Sequence, residues 1–163
     1  MTVPGTGNLQ RGLGGAAGLG EIAVARSDDG SVQIDASAIF GSGIMWFGSS
    51  YMADNIYVNT NGSVSFGSAI EELPGFDPLP PIYDMIGAFW GDVDTRLNGE
   101  GIESGQIWVD MDTGTDTLSI TWEEVGVYRR DASLTNSFQI QITDQGSGDV
   151  DVSLRYDTLD WSI

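Results

Sequence analysis

Phe138-Gln139-Ile140-Gln141-Ile142-Thr143, followed by Gln145-Gly146-Ser147-Gly148 and then Val150-Asp151-Val152-Ser153-Leu154-Arg155-Tyr156, is the stretch whose reading decides the fold. Apolar residues recur at every second position on both sides of a glycine-containing turn, which is the period of a strand and not of a helix. The stretch predicts two long antiparallel strands, each with one apolar and one polar face. The same period extends upstream. Ile107/Val109/Met111 and Leu118/Ile120/Trp122 flank Asp112-Thr113-Gly114-Thr115-Asp116, a second hairpin. Asn61-Gly62 lies between Val58 and Val64/Phe66, and this dipeptide favours a tight hairpin because both residues tolerate positive φ. Asn61-Gly62-Ser63 also has the form of a glycosylation sequon, but the turn reading takes precedence.

Nearer the N-terminus, Ile22/Val24 and Val32/Ile34 alternate on either side of Ser27-Asp28-Asp29-Gly30, and this spacing predicts a further hairpin. Ile44–Phe47, Ile56–Val58 and Ile86–Val93 read as short buried strands. Pro74, Pro78, Pro80 and Pro81 make 71–84 irregular, since proline cannot sit in a central strand. No segment carries a three-turn amphipathic helix. Eight to ten short strands predict a single all-β domain, an antiparallel β-sandwich with a jelly-roll-like arrangement as the alternative. The domain spans residues 21–163, and residues 1–20 form a glycine-rich leader. Gly12–Gly20 neither follows a strand nor opens a helix, so it reads as a flexible leader and not as a dinucleotide loop, or, if ordered, as a segment packed on its own domain or on a neighbouring copy.

Composition narrows the chemistry. The 163 residues include 24 acidic and 6 basic side chains, for a formal charge of −18, and every cation is arginine. Glycine, at 23 residues, is about twice its usual share of roughly 7%. Without lysine, histidine or cysteine the chain cannot build a disulfide, a thiolate zinc site, an imidazole base or a Walker phosphate loop. A surface at −18 repels nucleic acid and anionic lipid and attracts cations. No apolar run reaches the roughly 20 residues of a membrane span, so membrane insertion is not expected. The opening residues lack the basic and apolar regions of a Sec signal. The low isoelectric point and the absence of lysine and cysteine lean towards a secreted or cell-surface bacterial product exported without an N-terminal signal.

Five ordered blocks carry a family resemblance: Tyr57–Phe66, Phe89–Arg96, Thr121–Tyr128, Asn136–Ile140, and Asp149–Val152 through Arg155-Tyr156 to Trp161. Together they resemble the nidogen-type extracellular domain, NIDO, over roughly residues 38–162. Ala88 departs from the pattern, which usually has proline before Phe-Trp. The resemblance implies a β-sandwich and a non-catalytic module of adhesion or matrix proteins, with an extracellular protein or glycan as partner. The opening further resembles the N-terminal domain of bacterial repeats-in-toxin-type calcium-binding proteins, which implies type I secretion. A self-assembling surface filament or matrix subunit is the alternative.

Several groups invite chemistry. Asp92-Val93-Asp94 places two carboxylates on one strand face, a half-site for calcium that Asn59, Asn61 or Glu100 would complete. Asp110, Asp112 and Asp116 surround a glycine in the hairpin and form a second candidate metal site, although no glutamate closes the loop. Calcium is accordingly the expected cofactor, and cation stabilisation the expected property. Asp112-Thr113-Gly114 is the tripeptide of aspartic peptidases, but that chemistry needs two such loops sharing one proton, so the chain is read as no enzyme. Glu123-Glu124 diverge at a strand end and form no glycosidase pair. Trp46, Trp108 and Trp161 are candidates for a sugar platform, with Trp108 out of phase with its apolar neighbours.

Overall fold

The computed structural model describes residues 8–72 and 84–162. The irregular proline-rich stretch lies largely outside them. Among the described residues twelve strands follow in chain order: β1 (Ile22–Ala23), β2 (Ser31–Ile34), β3 (Ile44–Trp46), β4 (Ser49–Tyr51), β5 (Ile56–Asn59), β6 (Ser63–Phe66), β7 (Met85–Gly87), β8 (Val93–Asp94), β9 (Gln106–Asp112), β10 (Thr117–Val127), β11 (Asp131–Gly146) and β12 (Asp149–Leu159). One sheet has the order β1-β9-β10-β11-β12, with β8 pairing the far end of β10; the second has the order β2-β5-β6-β7. The pair β3-β4 stands apart as a small hairpin. Every pairing between strands is antiparallel. The all-β sandwich is therefore the observed architecture.

Period-two alternation turns directly into layers. Register aligns Ile107–Trp122–Phe138–Tyr156, Val109–Ile120–Ile140–Leu154 and Met111–Leu118–Ile142–Val152 as three rows across the large sheet. Val58, Val64 and Ile86, with Ile34, Ile56 and Phe66, supply the facing rows of the small one. Most of both sets belong to one buried apolar cluster, with Met111, Leu154 and Tyr156 partly buried against it and Val152 exposed at the sheet edge. Each large side chain buried there contributes roughly 1.5–3 kcal/mol. Trp122 stacks on Phe138 with ring centroids 5.0 Å apart. Its indole N–H donates to the Thr60 carbonyl at 3.0 Å, so one side chain ties the two sheets together.

One predicted hairpin is not there. Ile22–Ala23 pairs with Val109 and Trp108 in the large sheet, whereas Ser31–Ile34 pairs with Ile56–Asn59 in the small one. Ser27-Asp28-Asp29-Gly30 is thus a crossover between sheets. Periodicity reports which face a strand buries and says nothing about which neighbour it pairs with, and that is why the two segments look like a hairpin. The predicted strand Ile86–Val93 also divides, with β7 in the small sheet and β8 in the large one.

The leader is packed from residue 8 onward. The outer face of the large sheet is polar yet buried: Thr121 and Gln139 are fully enclosed, and Ser119 and Gln141 nearly so. Gln10 lies across it, its amide donating to Gln139 Oε1 at 3.0 Å while Gln141 Nε2 donates to its side-chain oxygen at 2.7 Å. Leu9 and Leu19 are buried beside it. The glycines fold this segment into a tight loop, with Leu13 N–H donating to the Gly18 carbonyl and Gly20 N–H to that of Gly14. Gly20 has φ of +134°, and a Cβ there would lie 2.5 Å from the Val109 carbonyl oxygen. Flexibility is the wrong expectation for this stretch because the sheet beneath it offers matching amides.

Deleting residues 1–20 is expected to destabilise the domain by about 2–5 kcal/mol in urea unfolding, through loss of the two buried leucines and exposure of the amide row. Unchanged stability would mean that the leader is not part of the fold.

Candidate functional site: a carboxylate cluster at the sheet crossover

The turn Asn59-Thr60-Asn61-Gly62 is buried throughout, and the loops around it hang from it. Asn59 accepts from Ser31 Oγ and the Ile70 amide and donates to the hydroxyls of Ser63 and Ser65. Thr60 N–H donates to the Gly30 carbonyl. Asn61 Oδ1 accepts from the Val93 amide at 3.0 Å, and the Asn61 carbonyl accepts from the Gly91 amide. Gly62, at φ +89°, has a Cβ position only 1.7 Å from the Phe89 carbonyl oxygen, so glycine is required there. These bonds bring the crossover 27–30 and the segment 88–94 to opposite sides of one turn.

At that junction three carboxylates meet. Among the described residues, Asp28, Asp29 and Asp92 form the one group of three acidic side chains with an oxygen each within 4.8 Å of the others. Asp29 Oδ1 accepts from Asn61 Nδ2 at 3.0 Å. Asp28 Oδ2 takes Arg96 at 2.7 Å. Two further oxygens, Asp28 Oδ1 and Asp92 Oδ1, are buried and have no hydrogen-bond partner. Burial, with the charges of Asp94, Asp29 and Asp92 adding to it and Arg96 opposing, pushes the Asp28 carboxyl up to about 6. Burial and then the charges of Asp29 and Asp94 raise Asp92 as well. Two oxygens without donors in a site that disfavours their charge present the chemistry a hard dication satisfies.

Asp94 has a different role. It is fully buried, and Arg96 grips it twice, Nε to Oδ1 at 2.9 Å and Nη2 to Oδ2 at 2.6 Å. The amides of Arg96 and Arg130 donate to it too. Burial opposes its charge, but the Arg96 and Arg130 hydrogen bonds and the guanidinium charge outweigh that and hold the carboxyl below the ordinary range. Its oxygens are already occupied, and it is a structural ion-pair residue next to the cluster.

The hairpin aspartates do not form a cluster of this kind. Asp110 sits in the outer-face row opposite Ser119, and burial followed by the charges of Asp112 and Glu21 raises it. Asp112 caps its own turn, accepting from the Gly114 amide at 2.8 Å and Thr115 Oγ1 at 2.8 Å. Those bonds lower its carboxyl. Asp116 is exposed at φ +50°. Asp112-Thr113-Gly114 thus has a local role as turn chemistry. Glu100 lies in the exposed 98–103 loop, and Asn59 spends its side chain inside the turn. Among the tryptophans, Trp161 is in the core and donates to the Val125 carbonyl. Trp46 and Trp108 are half-buried, each with an indole N–H that is buried and unpaired.

The sequence singles out Asp92 and offers Asn61 beside it, whereas Asp28 and Asp29 read only as a turn. The acidic doublet was the available signal, and it gains meaning only once the crossover is known.

A family model, the nidogen-like domain NIDO, matches residues 54–163. The chain belongs to this family of non-enzymatic modules found in extracellular proteins. Comparison with curated proteins and with solved structures gives no match. No helix among the described residues is long and apolar enough to cross a membrane.

The two neighbouring aspartates are expected to respond in opposite directions. A group raised in the folded state, such as Asp28 or Asp92, contributes stability below its unfolded value near 3.8 that is lost as pH rises, for Asp28 through about 6. In chelator the melting temperature should therefore climb as pH falls from 7.5 to 5. Asp92→Asn should raise it at pH 7.5 by about 2–4 °C and flatten that climb. Asp94→Ala should lower stability by about 3 kcal/mol, because it leaves two amides without an acceptor and Arg96 with Asp28 as its remaining carboxylate partner. Asp94 supplies its stability above its unfolded value, lost only as pH falls through its lowered folded one.

Proposed function

We propose that this domain is a non-catalytic adhesion or matrix module of a secreted bacterial protein, and that a divalent cation, calcium first, stabilises it at Asp28, Asp29 and Asp92. Membership of the nidogen-like family supports the adhesion-type reading. The observation that carries the cation reading is the pair of buried, unpartnered carboxylate oxygens facing a third carboxylate. The carbonyl-rich turn and the Asn61 side chain stand beside them, and a dication there relieves repulsion that no lysine is present to offset. The partner is an extracellular protein or glycan held by surface complementarity, and the bound cation keeps the crossover and the 88–94 segment in one arrangement.

Thermal melts in calcium, in chelator and in sodium chloride of matched ionic strength test the cation reading. Calcium alone should raise the melting temperature, with a stabilisation of roughly 2.7 kcal/mol at a hundredfold excess over its dissociation constant. Asp92→Asn should remove the response. Equal melting temperatures in all three solutions, or an equal rise with sodium, would reduce the cluster to surface electrostatics. Binding to immobilised matrix proteins and glycans, with and without calcium, tests the adhesion reading separately.

A further inference from the structure

The β3-β4 hairpin ends in a turn whose residues oppose its geometry. Trp46 pairs with Ser49, leaving Phe47 at φ +45° and Gly48 at φ +88° as the two central residues. Both central positions of such a turn need positive φ, for which Asn-Gly is the favoured choice, and a bulky phenylalanine is a true outlier. The ring does not escape into the core. Phe47 is 91% exposed, packed edge-on against Trp46 at 5.1 Å. Backbone strain spent on holding an aromatic ring in water is a pattern associated with contact sites.

The surroundings set this tip apart from the rest of the molecule. No charged residue occurs between Asp35 and Asp54, in a chain of net charge −18. Met45 and Met52 are exposed on the same lobe. At the base of the hairpin is an open cavity of about 360 Å³, lined by Phe40, Tyr51 and Met52 together with Ser37, Ser42 and Ser50, with Asp54 its one charged lining residue. That space is ample for an aromatic ring, since a cavity of about 150 Å³ accepts benzene. The hairpin is fixed at its root by the Met45 amide donating to the Gly148 carbonyl at 2.7 Å and by Trp46 and Tyr51 against Phe66. Knob and hole are separated by strands of three residues, about 10 Å.

We infer that this lobe binds a second copy of the same chain, the Phe47 ring of each molecule entering the Phe40–Gly41–Tyr51–Met52 cavity of the other. With residues 36–53 uncharged and Asp54 the one carboxylate at the hole, this lobe is where two molecules at −18 approach with least repulsion, and a protruding ring beside a cavity of suitable size is self-complementary. The reciprocal use of knob and hole closes a two-fold dimer. A contact built on one hairpin is far smaller than the roughly 800 Å² per partner of a stable interface, so association is weak. The leader, which occupies its own sheet, takes no part. The inference uses none of the cluster aspartates and stands apart from the cation reading.

Sedimentation of the full chain over about 0.02–1 mM, in about 0.05 and 0.5 M sodium chloride, tests it. The wild type should shift from monomer towards dimer with concentration, and more so at high salt, which screens repulsion; association weakened by salt would overturn an apolar contact. Phe47→Asn suits the turn, should melt no lower than wild type, and should weaken association at least about tenfold. Gly41→Gln fills the hole from a position where a Cβ meets nothing within 4 Å, and it should have the same effect with Phe47 intact. Dimerisation that survives either substitution in the folded protein overturns the proposal. A wild type that stays monomeric throughout does so too, including one that instead floats with phosphatidylcholine vesicles.

Discussion

A single buried turn, Asn59–Gly62, holds the two sheets and the candidate site in register. Its backbone and side chains accept from Trp122 in the large sheet, bond Gly30 in the crossover, and receive the amides of Gly91 and Val93. Gly62 is pressed against the Phe89 carbonyl at a distance no side chain tolerates. A polar turn inside an apolar sandwich is stable only because nearly every donor and acceptor finds a partner, since each buried group left unsatisfied costs about 1–3 kcal/mol. Satisfying them requires loops from both sheets to converge, and the carboxylates of Asp28, Asp29 and Asp92 are carried along.

The strands and their faces were legible because burial imposes period two, and Phe138–Tyr156 displays it without interruption. Turn chemistry was equally readable at Asn61-Gly62 and at the two hairpins closing β9-β10 and β11-β12. What periodicity does not encode is strand partnership. Ile22–Ala23 and Ser31–Ile34 look like neighbours and belong to different sheets. The same gap hid two of the three carboxylates of the candidate site. Asp92 stood out through its spacing from Asp94, yet Asp94 spends its oxygens on Arg96 and Arg130, while Asp92 turns to two residues more than sixty positions upstream.

Electrostatics and packing divide the surface between them. Acidic side chains crowd the crossover, whereas the β3-β4 lobe carries none and exposes Phe47, Met45 and Met52 instead. The two regions therefore respond to different solution variables. On the two proposals made above, dications and protons would act on the first, ionic strength and concentration on the second. A module with both can hold its shape and meet neighbours through separate parts of one small fold.

The leader has a consequence for the order in which the chain folds. Gln10 finds its partners 129 and 131 positions later, on β11. The last hairpin must therefore exist before the first described residues have anything to dock on. Contacts so distant in sequence form late, because loop closure precedes any gain from them. The N-terminal segment thus acts as a clasp fastened after the sheet is assembled. Until then the amide row of β10 and β11 stays hydrated.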